Sequence, residues 1–230
     1  ALASATGCVI DYQVYRPPDS DHTVQIILAH GFLRSKARMA GLATRLAKAG
    51  FVTAAIDLCN MRPWDGAHRQ NAADMIRVAR RLAHGPVVYA GFSAGGLAAL
   101  LAASNDPSSL GVLALDLVDW ERIGARAAAS LRPPLLGLHG EPSRCNAQNN
   151  GLAVFDAAPQ AEVRHIVGAS HCDFEAPTDR LCRLICEVAD RPPGDARRIR
   201  GQILEAAVQA AGRLLLTDPA HAGGAGDMTR

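Results

Sequence analysis

The chain has 230 residues, 49% of them hydrophobic and 20% charged, with 24 basic and 22 acidic side chains for a formal net charge of +2. That length supports one full hydrophobic core, and the composition is that of a globular protein. No basic run is longer than Arg197-Arg198, which excludes a nucleic-acid footprint, and no apolar stretch approaches the length of a membrane helix.

The first residues, Ala1-Leu2-Ala3-Ser4-Ala5, are small and look like the neighbourhood of a signal cleavage site. Cys8 to Tyr15 alternates and stops at Arg16-Pro17-Pro18, which predicts an edge strand. Val24 to Ala29 is nearly all apolar, as a strand covered on both faces requires, and it ends in His30-Gly31-Phe32. Met39, Leu42, Leu46 and Ala49 recur at helical spacing before Gly50. Phe51 to Ile56 is a second buried strand ending at Asp57, followed by a polar loop from Asn60 to Gly66 that carries Trp64. Ala72, Ile76, Ala79 and Ala83 mark the inner face of the next helix, which Gly85 stops.

Val87-Val88-Tyr89-Ala90 then runs into Gly91-Phe92-Ser93-Ala94-Gly95 and a helical run from Gly96 to Ala103. The pentapeptide fits G-x-S-x-G, a turn between strand and helix that lifts a serine hydroxyl above the sheet and crowds out any side chain at either glycine. Further strands are expected at Gly111 to Leu115, ending in Asp116-Leu117-Val118-Asp119-Trp120; at Pro134 to Leu138, ending in His139-Gly140-Glu141; and at Glu162 to Val167, ending in Gly168-Ala169-Ser170-His171. Strands alternating with helices in this way predict an α/β fold with a mostly parallel, doubly wound sheet. Arg191-Pro192-Pro193-Gly194 is read as a hinge into a last helix with an apolar stripe of Ile199, Ile203, Ala207, Ala210 and Leu214. Residues 1–218 are expected to form a single domain and residues 219–230 a disordered tail.

In an open parallel sheet, ligands bind beyond the carboxyl ends of the strands. His30, Asp57, Ser93, Asp116, His139 and His171 all stand at such ends. A serine nucleophile needs a base, and the base needs an orienting acid. His171 suits the base, since it lies on a loop after the last strand; His139 is too close to its strand end, and His22, His68, His84, His165 and His221 have no comparable context. For the acid, the loop after Leu138 holds only Glu141, whose reach is short, whereas Asp116 ends the strand beside the one carrying Ser93. Asp116 is therefore assigned, with Asp119 second and Glu141 third. Asp119 suits a helix cap and Asp173 a structural hydrogen bond. The backbone N–H groups of Phe32 and Ala94 are the expected oxyanion donors. His30, Trp64, Phe92 and Trp120 are candidate substrate contacts.

The order from His30-Gly31-Phe32 to Gly91-Phe92-Ser93-Ala94-Gly95 and a late His171 resembles the α/β-hydrolase superfamily along nearly the whole chain. His30 through Ala55 is similar to the matching stretch of platelet-activating-factor acetylhydrolases and dienelactone-hydrolase-type esterases, and Leu115 to Asp119 to a segment of chlorophyllases, although Phe92 and Ala94 stand where chlorophyllases have a histidine and an arginine. Ala114-Leu115-Asp116 resembles the acid motif of pancreatic lipases and platelet-activating-factor acetylhydrolases. The resemblance implies a serine ester hydrolase with no metal and no cofactor. No long insertion separates the core elements, so no large lid is expected, and a monomer or weak dimer is expected. Its open pocket would take short acyl esters or exposed polymer esters. A peptidase or thioesterase, or a binding protein on a degenerate hydrolase fold, are the alternatives.

Cys8, Cys59, Cys145, Cys172, Cys182 and Cys186 are an even number and include no C-x-x-C, which favours disulfides over zinc and a secreted or periplasmic location. At least one bridge is expected to tie the His171 loop to a neighbouring element, with Cys145 also in reach.

Overall fold

The computed structural model describes residues 1–18, 20–60, 66–186 and 195–216. The expected hinge at residues 191–194 and the tail at 219–230 lie outside them. In chain order the elements are β1 (Leu2–Ala3), β2 (Val9–Ile10), β3 (Tyr12–Tyr15), β4 (Ile26–Ala29), α1 (Ala40–Lys48), β5 (Thr53–Ile56), α2 (His68–Leu82), β6 (Val87–Phe92), α3 (Ala94–Asn105), β7 (Ser109–Leu115), α4 (Ile123–Ala128), β8 (Leu135–His139), α5 (Leu152–Ala157), β9 (Ala161–His165), α6 (Arg180–Cys186) and α7 (Asp195–Leu215).

Seven strands form one sheet in the order β3-β5-β4-β6-β7-β8-β9. β3 is antiparallel at its edge and the other pairings are parallel. β1 and β2 make a separate two-stranded ribbon.

Period-two alternation sorts each strand between two apolar layers, which is why the central strands read as unbroken hydrophobic runs. Ile27, Ala29, Tyr89, Val112 and Ala114 face the layer that includes α2, α3, α4 and α5. Ile26, Leu28, Val88, Ala90, Leu113 and Leu115 face α1 and α7. α3 is buried from Ala94 through Ala103, between the sheet and its neighbouring helices, so the helix that follows Ser93 is fixed on all sides.

The buried faces of two helices differ in part from the spacing expected. α2 buries His68, Asn71, Ala72, Asp74, Met75, Val78 and Ala79, so of the expected Ala72, Ile76, Ala79 and Ala83 line, Ala72 and Ala79 are buried while Ile76 and Ala83 are half-buried. The rotation comes from polar anchoring: Asp74 accepts hydrogen bonds from Ser4 Oγ at 2.9 Å and Asn60 Nδ2 at 2.5 Å, so the α2 face also holds the N-terminal ribbon. α7 buries Ile199, Ile203, Ala207 and Leu214 as expected, with Ala206, Ala211 and Leu215 in place of Ala210. It packs on β6, β7, β8 and α1.

All six cysteines are bridged: Cys8–Cys59, Cys145–Cys186 and Cys172–Cys182, with Cα separations of 6.0, 5.7 and 5.9 Å. The first ties β2 to the loop after β5. The other two both end on α6.

Candidate active site

The turn from β6 into α3 places Ser93 at φ 54°, ψ −119°, a backbone conformation that side-chain-bearing residues rarely adopt. The two flanking glycines make that turn possible. A Cβ on Gly91 would strike the backbone of Gly95 and Gly96, and one on Gly95 would strike the carbonyls of Ala29 and His30. The turn is thus packed against itself and against the end of β4, and the Ser93 hydroxyl emerges at the carboxyl edge of the sheet.

His171 opens a short 3₁₀ turn (His171–Phe174) after β9, held by a reciprocal cap in which Ser170 N and Oγ both donate to Asp173 Oδ2, at 2.8 and 2.9 Å. Asp173 thus makes the structural bond expected of it. The turn points the imidazole back over β6, where its ring lies 4.6 Å from that of Phe92. His171 Nε2 is 3.1 Å from Ser93 Oγ, and Nδ1 is 2.6 Å from Asp116 Oδ2. Asp116, at φ 43°, turns its carboxylate back across the strand ends of β7 and β8. Its Oδ1 accepts the N–H of Gly140 at 2.9 Å and its Oδ2 accepts Asn146 Nδ2 at 3.2 Å. Ser93, His171 and Asp116 are all buried. With Nδ1–H directed at Asp116, the free lone pair of Nε2 faces the serine hydroxyl, which is the arrangement a general base needs.

The backbone N–H groups of Phe32 and Ala94 donate to nothing among the described residues. Ala94 is the first residue of α3, so its N–H also carries the positive end of the helix dipole. Two cavities meet at Ser93. One, of about 220 Å³, is bordered by Phe32, Ala94, Val118, His68 and Trp120. The other, of about 390 Å³, is bordered by Phe92, His171, Leu33, Leu181 and Ile185.

Phe32, Ala94, Phe92 and Trp120 thus border the cavities at Ser93. Trp64 lies outside the described residues. His30 does not line either cavity, contrary to its expected role as a substrate contact. It is 1% exposed, donating from Nδ1 to Gly31 O at 2.7 Å and accepting the Leu58 N–H at Nε2 at 2.9 Å. Burial pushes its pKa below the ordinary histidine value. It works as a strut under the Gly31–Phe32 turn.

The other acids are occupied elsewhere. Asp119 caps α4, its two oxygens accepting the N–H groups of Gly124 at 2.7 Å and Ala125 at 3.1 Å. Glu141 accepts the Gly168 N–H at 2.7 Å and pairs with His165 at 3.2 Å. His139 stacks on His165, at 4.7 Å between ring centroids. Among the described residues, the groupings whose geometry could hold a metal, Cys172/Cys182/Cys186 and Cys8/Cys59/Asp74, consist of disulfide sulfurs and one carboxylate, leaving no thiolate there to bind an ion.

Sequence reading missed Asn146, His68 and the apolar side chains of α6. Asn146 sits in an ordinary-looking polar loop, and only the fold brings that loop under Asp116. His68 opens α2 without a strand end before it. For α6 the signal was present: Leu181 and Ile185 are one helical turn apart, between cysteines.

No protein-family model and no curated protein sequence matches this chain. Solved structures do. An alpha/beta hydrolase from Sphaerobacter thermophilus superposes with a TM-score of 0.56 at 16% identity, covering 71% of this chain and 91% of that one. A monoacylglycerol lipase from Paleococcus ferrophilus gives 0.65 at 13% identity, over 88% and 99% of the two chains. A ferulic acid esterase from Streptomyces cinnamoneus gives 0.62 at 20%, over 85% and 68%. At these identities the likeness is one of architecture: the chain has the α/β-hydrolase fold.

Proposed function

We propose that the protein is a serine ester hydrolase that works through an acyl-enzyme. The observation that carries this reading is the chain of contacts from Asp116 through His171 to Ser93, opening into a cleft beside two unengaged N–H donors. Ser93 Oγ attacks the ester carbonyl as His171 Nε2 takes its proton. The carbonyl oxygen, now an anion, is held by the N–H groups of Phe32 and Ala94, donors of a kind worth about 3–4 kcal/mol each in the transition state. Asp116 keeps the imidazole in the needed tautomer and stabilises the imidazolium. His171 then gives the proton to the departing alkoxide, and the alcohol leaves. Water repeats the sequence on the acyl-serine: its proton goes to Nε2, the acyl–Oγ bond breaks, and the carboxylic acid and free Ser93 are restored. Each proton passes through His171 Nε2: the one from Ser93 leaves with the alcohol, and the one from water is given to Ser93 Oγ as the acyl–Oγ bond breaks.

The esterase and the lipase among the similar structures support an ester substrate, and the three disulfides support work in an oxidising place, the periplasm or the medium. Hydrolysis of p-nitrophenyl acetate and butyrate by the wild type, lost in Ser93→Ala, is the expected result. A wild type inert on all such esters would overturn the reading and favour a binding role.

A further inference from the structure

The two cavities at Ser93 differ in what they touch, and the difference bears on how an ester lies in the cleft. The 390 Å³ cavity touches both Ser93 and His171. The 220 Å³ cavity touches Ser93 and Ala94 and not His171. We propose that the larger cavity receives the alcohol part of the ester, that this alcohol is bulky and apolar, and that the acyl part enters the smaller cavity. The inference rests on the esterase reading above.

Proton transfer fixes which side the alcohol takes. The leaving oxygen must come within about 3 Å of His171 Nε2 to take its proton. The alcohol chain therefore starts on the His171 side of Ser93. The carbonyl oxygen is directed to Ala94 and Phe32, and the one substituent left over, the acyl chain, falls on the side of Val118 and Trp120. The cavity on the alcohol side is walled by Leu33, Leu181 and Ile185, which are 69%, 62% and 65% exposed. Arg34 and Glu175 also border it, but they neutralise each other through a bidentate pair at 2.5 and 2.7 Å. Its chemistry is thus apolar, without an unpaired charge to select a charged alcohol.

The way α6 is attached points to the same use. None of its residues is buried, so it adds nothing to the core. It is nevertheless fixed at the rim by the Cys172–Cys182 and Cys145–Cys186 bridges. Asp179 adds a third tie, accepting the Cys182 N–H at 2.8 Å and pairing with Arg34 at 2.8 Å and Arg38 at 2.9 Å. A helix anchored this firmly, with Leu181 and Ile185 turned along an open cavity, offers a preformed apolar wall.

Two ester series test the assignment: acetates of ethanol, butanol and octanol, and ethyl esters of acetic, butyric and octanoic acids. In the acetate series the acyl-enzyme is common to all members, so an alcohol preference is read in kcat/KM. The wild type should favour octyl over ethyl acetate by at least about tenfold, and the double variant Leu181→Ser/Ile185→Ser should lose about that factor while the slope of the acyl series stays as it was. Inhibition by 1-octanol should weaken in parallel. Leu184→Ser, 85% exposed on the same helix and off the cavity, is the control and should change neither series. If the double variant flattens the acyl series instead, or neither series, the assignment is overturned while Ser93-dependent hydrolysis keeps the esterase reading. If the wild type hydrolyses no member, both fall.

Discussion

Asn146 donates from Nδ2, at 3.2 Å, to the same carboxylate oxygen of Asp116 that faces His171. The same Nδ2 donates to Glu141 O at 2.9 Å, and Oδ1 accepts the Ser143 N–H at 2.8 Å, so one fully buried amide joins the β8 loop to the acid. Its neighbour Cys145 is bridged to α6, which fixes the loop from the other side. Asp116 is therefore held by Gly140 and Asn146 before it holds anything itself.

The expected consequence is that Asn146→Ala lowers kcat by about tenfold through a looser Asp116–His171 pair, with KM changed by no more than about twofold. Steady-state kinetics on a short ester check this. A change confined to KM would place Asn146 in substrate binding instead.

Asp116 and Asp119 should fail in opposite ways. Asp116→Asn should fold normally and lose roughly 10²–10⁴ in kcat, since the imidazole loses its orientation and the partner for its charge. Asp119→Ala should instead cost about 1 kcal/mol of stability, the usual size of an N-cap loss, and keep activity within a fewfold. Glu141→Gln, away from His171, should also stay active. Melting temperature and kcat measured on the three variants separate the assignments.

How much of this was legible in the sequence follows from the reach of each interaction. The Gly91–Gly95 pattern is local even though only Gly91 is required by its own turn, Gly95 being required by the strand end at Ala29 and His30, so the pentapeptide alone pointed to Ser93. Asp116 was legible because it directly follows β7 and parallel strands end at one edge, and His171 because the loop after β9 starts from that same edge. Asn146 was not, since its partner is 30 positions away and its loop has no periodicity. His30 misled for a related reason: a strand-end histidine can turn up into the cleft or down beneath it, and the Leu58 N–H that draws it down lies beyond another strand. The α2 face was legible only in part: Ala72 and Ala79 are buried as expected, but Asn71 and Asp74 are buried by polar partners that no hydrophobic pattern records.

Ser93 should separate reactivity from strain. Ser93→Ala should lose roughly 10⁴ or more in kcat and keep its melting temperature, because alanine is no freer than serine at φ 54°. Ser93→Gly should be as inactive and more stable, by about 1 kcal/mol, since glycine adopts that backbone without penalty. Thermal melts of both variants decide this; equal stability of Ala and Gly would mean that the turn holds no strain.

Titration of the denatured, unreduced protein should find no free thiol. In a chain-entropy model the bridges, spanning 51, 41 and 10 residues, stabilise the fold by about 4, 4 and 3 kcal/mol respectively. Because α6 has no buried residue, reduction should release it before the core melts. Proteolysis under mild reduction should cut first near 180–186, and cleavage there at the same rate without reductant would contradict the anchoring role of the bridges.

The last expectation concerns pH and His30. Its Nδ1–H is committed to Gly31 O and its Nε2 lone pair to the Leu58 N–H, so the folded state holds the neutral ring with both nitrogens in use. Burial is the main cause of its lowered pKa, and it outweighs the favourable influence of the Gly31 carbonyl and of Asp57. Protonation would place a second N–H against the one donated by Leu58. In the unfolded chain the same ring titrates near about 6.5. Above that value neither state binds the proton and His30 adds no pH dependence. As the pH falls through about 6.5 the unfolded chain takes up the proton first, and stability is lost at up to about 1.4 kcal/mol per pH unit until the folded ring protonates as well. His30→Gln can keep an acceptor near Leu58 but cannot titrate. Wild type and variant should therefore differ by a constant stability above about pH 7, with the gap narrowing below about pH 6.5 as only the wild type acquires this acid limb. Denaturant melts from pH 8 to pH 5 measure it, and curves that stay parallel over that range would show that the buried ring is not the source.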